Sequence, residues 1–267
     1  MKTLFISLLL LFLSLQSYGQ DSIVNYIDVS GKKVKKNKAF SVETEVKKDS
    51  VWKYTQYYRS RRIKLSGQFK NKNKKKPVGT FYKFFRNGDL KNVYSYDNNG
   101  NLSGNTKKWF DNNGVSYVGN YQNGNKVGIW KYYHYNGKIA CKQYYQNFKV
   151  VKTLFYNDEG EKIDANLIQY QAAKFEGGDM DKFLKRIKDV HSKLGFQIQG
   201  NVFLNFTIGI DGRIRDFSTT DKIPIELERR LRIYFEGISG WEPSIHMNRK
   251  VPVLYVMPMD FFVTFGR

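Results

Sequence analysis

The side chains best suited to nucleophilic or transition-metal chemistry are few: three histidines, His134, His191 and His246, and one cysteine, Cys141. A metal centre or a nucleophile–base pair needs such groups to converge. No two of these histidines stand in an H-x-x-x-H or H-E-x-x-H relation. Cys141 and His134 fall on the two strands of one predicted hairpin and could approach each other there. Neither a nucleophile elbow nor an orienting acid accompanies them, so Cys141 reads better as a small buried hydrophobe. A lone cysteine also excludes an intrachain disulfide. Asp158, Glu159, Glu161 and Asp164 offer oxygen ligands but not the alternating D-x-D-x-D-G loop of a calcium site, and read as a solvated turn. Gly177-Gly178 opens a helical pattern without the Lys-Ser/Thr of a phosphate loop. The expectation is therefore a non-enzymatic binding protein with no catalytic, cofactor or metal site. A hydrolase of envelope polymer is the competing class, and no residue set can be named for it.

Charge offers more. Residues 20–169 hold 29 Lys/Arg against 12 Asp/Glu, whereas residues 170–267 hold 15 against 12, so the basicity of the chain belongs to its first half. It concentrates in Lys32–Lys38, Arg59–Lys64 and the run ending at Lys76. Arg59, Arg61, Arg62, Lys72, Lys74, Lys75 and Lys76 are thus candidate polyanion-binding residues, the alternative being a solvated loop. Anionic lipid headgroups or acidic glycans are the expected ligands. Nucleic acid is disfavoured because residues 1–19 read as a secretory signal peptide: Lys2, an apolar run from Leu4 to Leu15, then Ser17 and Gly19 before cleavage at Gln20. An uncleaved anchor would need about 17 or more apolar residues. The expected location is the periplasm or cell envelope, or outside the cell, with no later segment apolar enough to span a membrane.

The elements that would position these groups repeat. From Gly128 an aromatic follows at Trp130, a pair at Tyr132-Tyr133, a turn at Asn136-Gly137, an apolar residue at Ile139 and a closing Tyr145-x-Asn147. Gly79 opens a second copy with Phe81, Phe84-Phe85, Asn87-Gly88, Leu90 and Tyr96-x-Asn98. Gly104 opens a third with Trp109-Phe110, Asn113-Gly114, Val115 and Tyr121-x-Asn123, but Thr106 replaces its first aromatic. The origins lie 25 and 24 residues apart, the size of one hairpin. Asn-Gly between aromatic runs predicts a type I′ turn. Degenerate copies at 52–71 and 151–163 bring the total to about five hairpins across residues 50–165, with one or two cap strands in residues 20–49. The pattern G-x-W-x-x-Y-x-x-N-G-x-I resembles the MORN repeat in the looser variant of bacterial envelope proteins. An elongated antiparallel sheet stabilised by cross-strand aromatics is what it implies.

After Ile163 the periodicity becomes helical. Met180, Phe183, Leu184, Ile187, Val190 and Leu194 share a face, with Asp179 as N-cap and Gly195 past the end. Val202 to Ile210 alternate into a turn at Asp211-Gly212, and a second helix, with Pro224 near its start, turns Leu227, Leu231, Tyr234, Phe235 and Ile238 inward. A last strand region spans Val251 to Thr264. The fold class is α+β: a hairpin sheet, then a small α+β domain over residues 170–267. Phe175-Glu176-Gly177-Gly178, the segment 200–214, Trp241-Glu242-Pro243 and Val251–Phe261 resemble the C-terminal domain of the energy transducer TonB, with Glu176 where that family has proline. The resemblance implies binding of an envelope protein, or of a second copy of the chain, through a sheet edge. The candidate residues are Val251, Pro252, Val253, Leu254, Tyr255 and Val256, with Pro252, Leu254 and Val256 outward.

Overall fold

The structure is a computed structural model that describes residues 22–27, 32–36, 39, 41–58, 60–176, 180–188, 200–219, 223 and 225–261. The signal-peptide segment, Arg59, Asp179, Pro224 and the helix positions Val190, His191, Leu194 and Gly195 lie outside the described residues.

Twelve strands form one antiparallel sheet whose spatial order is the chain order. They are β1 (Ser22–Ile27), β2 (Ser41–Lys48), β3 (Val51–Tyr57), β4 (Ile63–Phe69), β5 (Pro77–Phe84), β6 (Leu90–Tyr96), β7 (Gly104–Trp109), β8 (Val115–Gln122), β9 (Asn125–Tyr133), β10 (Ile139–Gln146), β11 (Lys149–Tyr156) and β12 (Lys162–Ile163). The five expected hairpins are β3–β4, β5–β6, β7–β8, β9–β10 and β11–β12, preceded by the cap pair β1–β2.

The turns differ from expectation. In the β5–β6, β7–β8 and β9–β10 hairpins, Phe85, Phe110 and His134 each donate their N–H across a three-residue loop, to the carbonyls of Asp89, Gly114 and Lys138 at 2.8 Å. Only one loop residue is left-handed in each, Gly88, Asn113 or Gly137, so the turn is type I with a bulge rather than type I′. A second bulge, at Lys91, Ser116 and Ala140 in the strand after the turn, appears as a register shift in all three hairpins. Two-residue loops with both residues at positive φ occur instead between repeats, at Asn123-Gly124 and Asn147-Phe148.

One sheet face carries the packing. Trp130, Tyr132 and His134 are buried while Lys131, Tyr133 and Tyr135 on the other face are partly exposed, as strand alternation requires. Tyr54, Phe69, Phe81 and Tyr96 form a chain of edge-on rings, and Trp130 gathers Tyr117, Tyr121 and Tyr145 around it. Each such pair contributes about 0.5–1.5 kcal/mol beyond its buried area. Two rings lie flat over glycines: a Cβ on Gly67 would fall 2.3 Å from the Phe81 ring, and one on Gly119 would fall 2.2 Å from Trp130.

The second unit follows the expected order. Strand β13 (Lys174–Phe175) pairs with β16 (Trp241–Glu242), and β14 (Gly200–Ile208) lies between β15 (Ile214–Thr219) and β19 (Val253–Phe261). Helices α1 (Met180–Lys188) and α2 (Ile225–Glu236) meet one face of that sheet through Phe183, Ile187, Leu227, Leu231 and Phe235. Leu184, expected inward, is exposed, so the buried stripe of α1 is narrower than its apolar spacing suggests. Tyr234 ties the helices together by donating to the Arg186 carbonyl at 2.7 Å. A hairpin not anticipated, β17 (Ser244–His246) with β18 (Arg249–Val251), turns at Met247-Asn248 and reaches back to the large sheet. Its Met247 packs on Trp130, Tyr132 and Cys141.

Candidate binding surfaces

Strand β19 pairs with β14 from Val253↔Ile208 to Phe261↔Gly200, and no strand pairs with its other edge among the described residues. The sequence dictates this alternation. Val253, Tyr255 and Met257 pack on the core, with Tyr255 stacked parallel to Phe206 at 5.8 Å and donating to the Ala173 carbonyl at 2.9 Å. Leu254 and Val256 point away, 64% and 56% exposed, and Phe203 of β14 joins them on the outer face. The expected inward and outward sets are thus observed from Val253 to Val256. The first two candidates stand elsewhere: Val251 closes the β17–β18 hairpin opposite Ser244, and Pro252, with no N–H to give, separates that hairpin from β19.

Six of the seven basic candidates lie among the described residues, and they take different surroundings. Arg62 is spent on its neighbours, donating to the carbonyls of Arg86 at 3.1 Å and Asn87 at 2.6 Å. Lys74 turns inward to Glu43 at 2.5 Å and Glu45 at 3.5 Å, with its amine 4.7 Å from the Tyr54 ring centre. Lys72 lies over Trp52, Lys76 is half-buried, and Arg61 and Lys75 are exposed. Sequence reasoning missed the buried carboxylates because Val42, Thr44 and Val46 suggest the inward face of β2. The structure places Ser41, Glu43 and Glu45 inward instead. There Asn25 donates to Glu45 at 2.8 Å, and Tyr54 and Lys74 donate to Glu43. Burial and the adjoining Glu43 carboxylate push the Tyr54 phenol up.

Arg249 was equally hidden in the sequence. It enters the large sheet from β18 and is 7% exposed. Its guanidinium donates to the Ser116 carbonyl at 3.0 Å and the Tyr133 carbonyl at 3.1 Å, and lies 5.2 Å from the Tyr132 ring centre. Burial holds its pKa below the usual guanidinium value. Arg215 adds a second link between the units, 3.1 Å from Asp111.

Cys141 and His134 both lie in the sheet interior. The Cys141 thiol is fully buried and pushed up to about 11 by desolvation, which leaves little thiolate at neutral pH. His134 Nε2 is engaged with the Tyr156 carbonyl at 2.9 Å, and His246 packs edge-on to Tyr170. Among the described residues no three metal-ligating side chains converge, and no helix is long and apolar enough to cross a membrane. A scan of the sequence against protein-family models gives no match, and neither does a comparison with curated proteins.

Proposed function

We propose that this chain is an exported, non-enzymatic binding protein of the cell envelope, which holds an envelope protein or a second copy of itself along β19 and uses the hairpin sheet as its scaffold. One observation carries the reading: β19 has a ladder partner on a single side among the described residues while Leu254 and Val256 stand exposed beside the free edge. Such an edge supplies main-chain hydrogen bonds to an added strand, and the exposed side chains supply selectivity. The resemblance of the second unit to the TonB C-terminal domain, of the repeats to MORN hairpins, and of residues 1–19 to a signal peptide supports the same reading.

In-cell crosslinking from the envelope fraction, followed by amide exchange on the recovered complex, tests it. Amides from Val253 to Met257 are expected to slow in the complex while those of β5–β10 stay unchanged. Leu254→Pro should weaken capture about tenfold or more, with folding checked by circular dichroism. Equal protection of these amides with and without every crosslinked partner would rule the edge out.

A second contact is favoured by the exposed cations Arg61, Lys72 and Lys75, none of which has a carboxylate partner among the described residues. Sedimentation with anionic vesicles should be salt-sensitive and weakened in a K72S/K75S variant, because exposed charges are screened over about 8 Å at physiological ionic strength. Binding indifferent to both changes would mark these lysines as solvation only.

A further inference from the structure

The sheet of β15, β14 and β19 meets the hairpin turns of the large sheet through the Arg215–Asp111 and Lys91–Asp216 pairs. Between them runs a cleft of about 650 Å³, continued by a recess of about 250 Å³, the two sharing Arg86, Lys91, Thr207, Asp216 and Leu254. That volume suits a drug-sized molecule. One wall is apolar, built from Phe85, Trp109, Pro252 and Leu254. The floor is cationic, with Lys64, Arg86, Lys91 and Lys108 rising from β4 to β7, and Arg232 facing them from α2.

The carboxylates of the cleft are mostly committed. Asp111 is held by Arg215 at 3.1 Å, Asp216 lies 3.8 Å from Lys91, Glu228 is buried and engaged, and Glu236 stands near Arg232 and Arg86. Lys64 and Lys108 have no ion-pair partner among the described residues. Lys108 is crowded by cations instead. Strand register puts Lys83 and Lys108 on either side of Asn92 in one cross-strand row, about 10 Å apart at two strand spacings. Burial lowers the pKa of Lys108, and the like charges of Lys91, Arg249 and Lys83 lower it further. Like charges gathered on one sheet face are destabilising unless an anion joins them.

We infer that this cleft binds an amphiphilic anion, a phosphate- or carboxylate-bearing molecule whose charged group sits among Lys64, Arg86, Lys91 and Lys108 and whose apolar body lies against Trp109, Pro252 and Leu254. The cleft shares Leu254 with the outer face of β19 but does not depend on that edge recruiting a partner, so Lys108→Gln tests the cleft alone. A membrane-derived lipid and a soluble phosphate ester share this chemistry.

Isothermal titration of the full chain with octyl phosphate, inorganic phosphate and octyl glucoside, each below its micellar concentration, tests the inference. Octyl phosphate should bind one to one, and inorganic phosphate about tenfold or more weaker, since the apolar wall then contributes nothing. Octyl glucoside should give no saturable signal. Lys108→Gln and Leu254→Ser should each weaken octyl phosphate about tenfold, while Lys72→Gln, outside the cleft, should leave it unchanged. Inorganic phosphate binding as tightly as octyl phosphate would restrict the site to soluble anions and overturn the amphiphile. Equal binding of octyl glucoside, or octyl phosphate affinity unchanged in Lys108→Gln, would overturn the anion. If Lys108→Gln does not fold, the wild-type titration at low and high salt decides: affinity must fall with salt, and a constant affinity refutes the site.

Discussion

Lys74 and Lys75 are adjacent in a lysine-rich run, yet the fold gives them opposite tasks. Lys75 is exposed, whereas Lys74 sits between Glu43 and Glu45, whose side chains are 8% and 4% exposed. Removing one partner of a buried ionic cluster leaves charge without compensation, at a cost of about 3–5 kcal/mol when burial is complete. Lys74 is itself partly exposed, so Lys74→Met should lower stability by about 2–3 kcal/mol, read from the urea midpoint. Lys75→Met should stay within about 0.5 kcal/mol. A lysine run in sequence cannot disclose this difference, because the deciding partners stand 31 and 29 positions away on a strand whose valines suggest the opposite facing. The alternation from Val253 to Val256 was legible because it depends only on neighbours in the chain.

Repeats make the element scale the most readable, and the departures from the repeat are the informative part. Two positions before the closing aromatic of each unit stand Gly67, Tyr94, Gly119 and Gln143. Glycine occurs there only where the next strand lays a ring over it, Phe81 on Gly67 and Trp130 on Gly119. Where the next strand carries Thr106 instead, the position holds Tyr94, whose ring stacks on Phe81. The missing aromatic that looked like decay in the third repeat is therefore compensated one strand earlier. Gly119→Ala should cost about 1–3 kcal/mol by overpacking. Combining it with Trp130→Val should be less than additive, since the two changes share one contact. Turn chemistry was legible in location but not in type, because Asn-Gly satisfies either a type I′ turn or a type I turn with a bulge. Phe148, at φ 48–64° together with Asn147, is the one bulky residue in a two-residue loop between repeats. Phe148→Gly should raise the thermal midpoint, by about 1 kcal/mol of relieved backbone strain.

At the scale of the molecule, the two units and their order were visible in the sequence, but their junction was not, since one arginine among 45 basic residues forms no pattern. Packing tyrosines into the sheet and the cleft has a consequence for alkaline stability. Burial pushes the Tyr58 and Tyr94 phenols up to about 12, with Asp216 adding to the effect at Tyr58. Their protonated state is favoured in the fold, so the unfolded chain loses these protons first as pH rises past 10, and stability should fall from pH 10 through about 12. Thermal midpoints across that range, with tyrosinate absorbance followed in parallel, check it: two or more phenols should ionise only as the fold is lost. Strands β1 to β12 bond only to neighbours in the chain, so the sheet can be laid down in the order in which the polypeptide is synthesised, each hairpin closing on the one before. Arg249 is one of the side chains that break this order. Its acceptors at Ser116 and Tyr133 are in place 133 and 116 residues before it emerges, so a growing chain carries a finished socket in mid-sheet until the Met247-Asn248 turn arrives to fill it.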